Sequence, residues 1–255
     1  MKVNELYSIL DKWYPFVSQD IWDNSGSFSF FENEIISGVL IGLDVTLDIV
    51  TEAIQKNCNV IITHHPIFID QNDIKKKHIK NIINLLNINK ISLFSLHTNF
   101  DKNRYGMNYN LLKKLNLTNI KRSKKSDYLF FGELKTKMNI NDFIVQINRK
   151  IKPDYLIYDK ENLFFKENKK IKKVAIVGGS GSGEYENILK KDKIDLFITG
   201  EVKWHIWNLS SKSIPIIDVG HSIEKIFIEI ISTKIKKLNL NVYEHQLEIK
   251  LSNDS

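Results

Sequence analysis

Cys58-Asn59-Val60-Ile61-Ile62-Thr63-His64-His65-Pro66 is an apolar run closed by two histidines and a proline. Its length and near-absence of polar residues predict a strand buried on both faces, as a parallel sheet requires. Neighbouring side chains on an extended backbone point to opposite faces, so adjacent imidazoles have little use inside such a strand. At its end, where the chain turns and Pro66 restricts the residue before it, both rings can reach one point or two nearby points. Neutral imidazole is the commonest protein ligand for transition metals. The run therefore predicts a metal site as well as a strand.

Three further apolar runs end in the same way. Residues 91–96 lead into His97-Thr98-Asn99-Phe100-Asp101, residues 214–219 into Gly220-His221-Ser222-Ile223-Glu224, and residues 35–43 into Asp44. In open α/β sheets, ligands bind outside the carboxyl ends of the strands, so four such ends carrying histidine or carboxylate form a constellation. Asp101 has an alternative use in closing the turn. Asp44-Val45-Thr46 precedes a helical pattern, and Asp44 is read there as satisfying backbone amides rather than as a ligand. His221 and Glu224 are three apart at the head of an apolar helix and share a face, a spacing also used in helical dimetal sites.

Strands and helices alternate through residue 115. Strands near 35–43, 58–63 and 91–97 are followed by helices at 46–56, 79–87 and 108–115, which reads as successive right-handed βαβ units. The polar, basic stretch 116–127 predicts a boundary. Beyond it, 128–134, a helix at 141–151, and strands near 154–158 and 163–166 predict a smaller α+β unit. Strands at 172–177 and 194–199 resume the alternation. A final strand, helix and strand (214–219, 222–238, 240–249) return His221 to the first lobe. The expected fold class is α/β and two-lobed: a mainly parallel sheet with flanking helices plus a smaller α+β lobe. Residues 1–125 and 214–255 would form the metal-binding lobe, and 126–213 the second.

With 255 residues, of which 42% are hydrophobic, the chain has ample material for a core. No stretch approaches the ~18 apolar residues of a membrane span, and Leu6, Ile9, Leu10 and Trp13 recur at helical spacing rather than as a signal peptide. A single cysteine, Cys58, excludes an internal disulfide or thiolate cluster. The expected setting is cytoplasmic, and any metal must be held by nitrogen and oxygen. The formal charge of +7 comes from a lysine excess, clustered at Lys75-Lys76-Lys77, at Lys121-Arg122-Ser123-Lys124-Lys125 and between Lys166 and Lys173. Such runs can attract nucleic acid or phosphorylated ligands, but no aromatic residue interleaves with the first two, and they read as solvated loops. Gly178-Gly179-Ser180-Gly181-Ser182-Gly183 follows a strand as phosphate loops do, without a lysine in Walker position or a dinucleotide spacing. Glu201 and His205, four apart, read as the start of a helix with a favourable acid.

These segments, in this order, resemble the GTP cyclohydrolase I type 2 homologue family, also called the Nif-three-like proteins. The resemblance runs through Trp22-Asp23-Asn24-Ser25-Gly26, Leu43-Asp44-Val45-Thr46, Thr63-His64-His65-Pro66, His97-Thr98-Asn99-Phe100-Asp101, Val177-Gly178-Gly179-Ser180-Gly181, Thr199-Gly200-Glu201 and Asp218-Val219-Gly220-His221. It implies a two-lobed protein that binds two divalent ions (Zn, Fe, Mn or Ni) and assembles into a homohexamer. By the same resemblance the ligands are His64, His65, Asp101, His221 and a glutamate of the last helix. His97 would orient a substrate or relay a proton. The family places that glutamate four residues after the terminal histidine, where this chain has Lys225, so Glu224 arrives one residue early. The implied activity is metal-dependent hydrolysis of a nucleotide or another phosphorylated small molecule, with opening of the guanine ring of GTP as one candidate. The alternatives are a non-catalytic metal-binding scaffold or a nucleic-acid- or protein-binding ring.

Overall fold

Apolar runs buried on both faces settle into two sheets in the computed structural model, which describes residues 1–189 and 193–246. The chain divides into two compact units: Met1–Asn103 with Phe227–Ser255, and Arg104–Ile226. The first unit contains α1 (Val3–Trp13), β1 (Gly26–Ser29), β2 (Val39–Gly42), α2 (Leu47–Gln55), β3 (Val60–Thr63), α3 (Lys77–Ile88), β4 (Ser92–Ser95) and the one-turn α4 (Thr98–Asp101). The second contains α5 (Met107–Lys114), β5 (Thr118–Arg122), β6 (Phe130–Asn139), α6 (Ile140–Lys150), β7 (Ile157–Tyr158), α7 (Leu163–Lys166), β8 (Lys170–Ile176), α8 (Tyr185–Leu189), β9 (Leu196–Thr199), α9 (Trp204–Ser210), β10 (Ile216–Asp218) and a 3₁₀ turn, His221–Lys225. Then α10 (Ile226–Lys236) and β11 (Val242–Glu244) complete the first.

In the first unit the strand order is β1-β4-β3-β2-β11. All neighbours run parallel except β1, which is antiparallel to β4. Every residue of β2, β3 and β4 is buried, which explains their unbroken apolar character. Thr46 caps α2 by accepting from the Ile49 amide at 3.2 Å, and α2 and α3 bury Ile49, Val50, Ala53, Ile82 and Leu86 against Leu40, Ile61 and Leu93. Burial of each large aliphatic side chain stabilises the fold by roughly 1.5–3 kcal/mol. Register does the rest. Gly42 pairs with Thr63 and Thr63 with Ser95, so the segments beginning at Asp44, His64 and His97 leave the same edge.

The second unit is a mixed sheet of order β5-β6-β8-β9-β10-β7, with β8, β9 and β10 mutually parallel. Ile176 pairs with Ile198 and Thr199 with Asp218, so the glycine-rich loop, Gly200-Glu201 and Gly220-His221 also share an edge.

Several elements differ from the sequence reading. The strand expected at 163–166 is helix α7, because Asn162 accepts from the Phe164 amide at 2.9 Å and starts a turn. The expected boundary at 116–127 holds β5, an edge strand whose exposed residues hide its pairing to β6. The expected helix 222–238 begins as a 3₁₀ turn, and residues 247–249 of the expected last strand lie outside the described residues. The units also divide the chain elsewhere than expected. Segment 104–125 belongs to the second because α5 packs Met107 and Leu111 beneath Gly178 and β5 pairs with β6. Segment 214–226 belongs there because β10 lies between β9 and β7. Among the described residues no helix is long and apolar enough to cross a membrane.

Candidate metal centre

Three histidines meet at the strand ends of the first unit. One ligand atom from each of His64, His65 and His97 lies within 4.8 Å of the others. Each ring is aimed by a hydrogen bond on its other side. His64, fully buried, donates from Nδ1 to the Leu96 carbonyl at 2.8 Å. His65 donates from Nδ1 to Asp44 at 2.7 Å, and His97 from Nδ1 to Asp23 at 2.9 Å. These acceptors leave the lone pair on Nε2 in all three rings, the arrangement by which proteins orient metal-binding imidazoles. Asp101 brings Oδ1 to 3.6 Å from His64 Nε2. Three neutral imidazoles and a carboxylate suit Zn, Fe, Mn or Ni. Burial pushes the Cys58 thiol up to about 11, which keeps it a protonated, apolar neighbour of the sheet rather than a ligand.

Asp23 anchors this arrangement. Its Oδ1 accepts from His97 and the Asn24 amide, and its Oδ2 from Ser25 Oγ, Thr98 Oγ1 and the Thr98 amide, all at 2.5–3.1 Å. Burial alone would raise its pKa, but the hydrogen bonds from His97, Ser25 and Thr98 outweigh it and hold the carboxyl well below the ordinary range. The unfolded value is about 3.9. A depressed folded pKa stabilises above the unfolded value, and that contribution is lost as pH falls toward the folded one. Stability is therefore expected to drop from about pH 5 downward, by on the order of 2–3 kcal/mol for this group. Urea unfolding of wild type and Asp23→Asn across this range checks it: the variant should show the shallower slope, and parallel curves would assign the acid sensitivity to other groups.

In the second unit His221 lies between two carboxylates, with Glu201 Oε1 at 2.9 Å from Nδ1 and Glu224 Oε2 at 3.1 Å from Nε2. The hydrogen bond to Glu224 is the chief cause of a pKa pushed up to about 9. Burial opposes the rise, and the charges of Glu224 and Glu201 add to it. A field that holds a proton this strongly also favours a divalent cation. Asp218 fixes the strand-end loops by accepting from the amides of Glu201, Val202 and Gly220 at 2.9–3.2 Å. Glu224 is buried, whereas Lys225 turns to Asp154 at 3.2 Å. The cause is the 3₁₀ turn, in which residues three apart eclipse one another. Here the i+3 glutamate, rather than the i+4 residue, meets His221.

The structure thus gathers His64, His65, His97 and Asp101 in the first unit, and His221 and Glu224 in the second. Some features differ from the sequence reading. His97 sits in the imidazole cluster itself. Asp44 holds His65 rather than only a helix start. Glu201 partners His221, with His205 exposed on α9. The sequence reading gives Asp23 no role of its own, although it stands as an acid in the glycine-bounded run Trp22–Gly26. The glycine-rich loop serves packing: Gly179 sits at φ +61°, where a Cβ would overlap the Glu224 carboxylate.

Two α/β units, each with histidines and carboxylates gathered at the ends of parallel strands, define the class of this protein. The chain matches the Duf34/NIF3 (NGG1p interacting factor 3) family over residues 1–255 and belongs to it. It is 36% identical over 242 residues to a GTP cyclohydrolase 1 type 2 homolog from Ureaplasma parvum, covering 93% of this chain and 90% of that one. The crystal structure of Staphylococcus aureus protein SA1388 superposes with a TM-score of 0.84 at 27% identity, covering 100% of this chain and 98% of that one. Reduced HcgD from Methanocaldococcus jannaschii shares the fold, with a TM-score of 0.82 at 22% identity, covering 97% of this chain and 98% of that one.

Proposed function

We propose that the protein is a metal-dependent hydrolase of a nucleotide or another phosphorylated small molecule. The ligand set would be His64, His65, Asp101, His221 and Glu224, with His97 beside them, for two divalent ions per chain. The observation that carries this reading is the triple imidazole cluster, in which each Nδ1 is tied to a fixed acceptor. Packing alone does not call for three rings aimed in this way. When bound, the ions would supply Lewis-acid activation of a water and of a substrate oxygen. His97, held by ionised Asp23, is suited to orient the substrate or relay a proton. Beside Asp23 the first unit has a cleft of about 370 Å³ lined by Asn24, Ser25, Ser27, Gln71, Phe28 and Phe68. A lining that combines two phenylalanines with the amides of Asn24 and Gln71 suits a small heteroaromatic ligand. The GTP cyclohydrolase names of the relatives make GTP the first substrate to test. A cytoplasmic homo-oligomer, hexameric by resemblance to the family, is part of the same reading.

The test is elemental analysis of purified, metal-reconstituted protein, together with GTP turnover. About two transition-metal ions per chain, as a dinuclear site requires, should fall in both His65→Ala and Glu224→Ala, and turnover should fall with them. Metal content unchanged by Glu224→Ala would move that ligand elsewhere. Loaded protein inert toward every nucleotide and phosphorylated compound tried would favour the scaffold alternative.

A further inference from the structure

A basic, aromatic cleft of about 710 Å³ lies within the second unit, lined among others by Arg104, Tyr105, Tyr109, Lys113, Lys121 and Arg122. It shares no lining residue with the histidine clusters. One wall is the face of α5 that carries Tyr109 and Lys113, four residues apart. The other is β5, which among the described residues is an edge strand paired with β6. The Tyr105 and Tyr109 rings meet edge to face at 5.2 Å, and the Arg104 guanidinium lies 5.4 Å from the Tyr105 ring centre. Asp127 offsets part of the Arg122 charge at 3.2 Å, yet among the described residues none that lines the cleft is acidic. No aromatic residue interleaves with Lys121-Arg122-Ser123-Lys124-Lys125, and the fold supplies Tyr109 from α5 and Tyr105 from the segment just before it.

We propose that this cleft binds a nucleoside polyphosphate, independently of the metal centre. The tyrosines would take the base and the four cations the phosphate chain. A merely solvated basic surface accounts for neither the tyrosine pair nor the lack of acids in the lining. The volume falls in the range of roughly 300–1,000 Å³ typical of small-ligand sites. Aromatic faces accept any base, and arginine and lysine match phosphate oxygens. A strand of nucleic acid presents the same chemistry, but the cleft is sized for a single nucleotide.

Isothermal titration of the full chain with ATP, inorganic tripolyphosphate and a thymidine oligonucleotide tests this. ATP binding should weaken about tenfold or more in Lys113→Glu/Lys121→Glu, both exposed positions, and should decline as salt rises. Tyr109→Ala should weaken ATP but not tripolyphosphate, and Tyr109→Phe should restore it. Protein stripped of metal with a chelator should keep the ATP binding that Lys113→Glu/Lys121→Glu loses. ATP binding lost in the stripped protein but kept in the lysine variant would place the nucleotide at the metal centre and overturn the proposal while leaving the hydrolase reading intact. Absence of ATP binding, or an oligonucleotide that binds far more tightly at this cleft, would also overturn it.

Discussion

Gly179→Ala is expected to destabilise the protein by about 1–3 kcal/mol, through left-handed backbone strain and displacement of a buried side chain. It should also lower metal content as Glu224→Ala does. Two effects converge at this position. The backbone has φ +61°, and a Cβ would overlap Glu224 Oε1, with His221 Nε2 at 3.5 Å. Glu224 cannot easily yield, because the 3₁₀ turn His221–Lys225 holds it buried. Relief has to come from moving the loop, which is tied by the Gly200 amide to the Gly179 carbonyl at 2.9 Å. Gly183, in the same loop, is the control: a Cβ there meets nothing within 4 Å. Gly183→Ala should stay within about 0.5 kcal/mol of wild type. Urea unfolding and elemental analysis of both variants decide the matter. Equal behaviour of the two would mean that Gly179 does not shape the glutamate's position.

What could be read from the chain follows from where burial is complete. β2, β3 and β4 are covered on both faces, so composition alone marks them, and their shared register makes the histidines after them converge. β5 is exposed at a sheet edge and resembles a solvated loop. Leu163-Phe164-Phe165 is too short for its apolar pattern to separate strand from helix, and the Asn162 cap decides it. The same division runs through the candidate site. His64, His65, His97 and His221 close strands and are legible from that alone. Asp23 and Glu201 lie in irregular loops and gain meaning from partners distant in sequence: Asp23 meets His97 across 74 positions. The basic cleft was hidden for this reason too, since Tyr109 approaches Lys121 only after α5 packs beside β5.

Asp23→Ala should have the largest combined effect of any change to a residue that is not itself an expected ligand. The side chain is fully enclosed and accepts from His97 Nδ1 at 2.9 Å. Removing it strands the Nδ1 proton of His97 and the donors from Ser25 and Thr98 in a buried setting. Leaving a buried donor without its acceptor costs about 1–3 kcal/mol, and several are left at once here. Loss of the carboxylate that orients His97 should loosen the imidazole cluster and weaken its metal binding by roughly 10–100-fold. Asp44→Ala separates the two consequences. Asp44 orients His65 as Asp23 orients His97, but its side chain is 38% exposed, so water can replace the lost acceptor. Its stability should change little, within about 1 kcal/mol, while metal affinity falls by a similar factor. Competition with a chromophoric chelator measures the affinities and urea unfolding the stabilities. If Asp44→Ala leaves the metal affinity unchanged, ring orientation at His65 does not depend on this carboxylate. If Asp23→Ala is as stable as wild type, the hydrogen-bond cluster around Asp23 contributes positioning without stability, and the acid sensitivity expected of Asp23 should be missing as well.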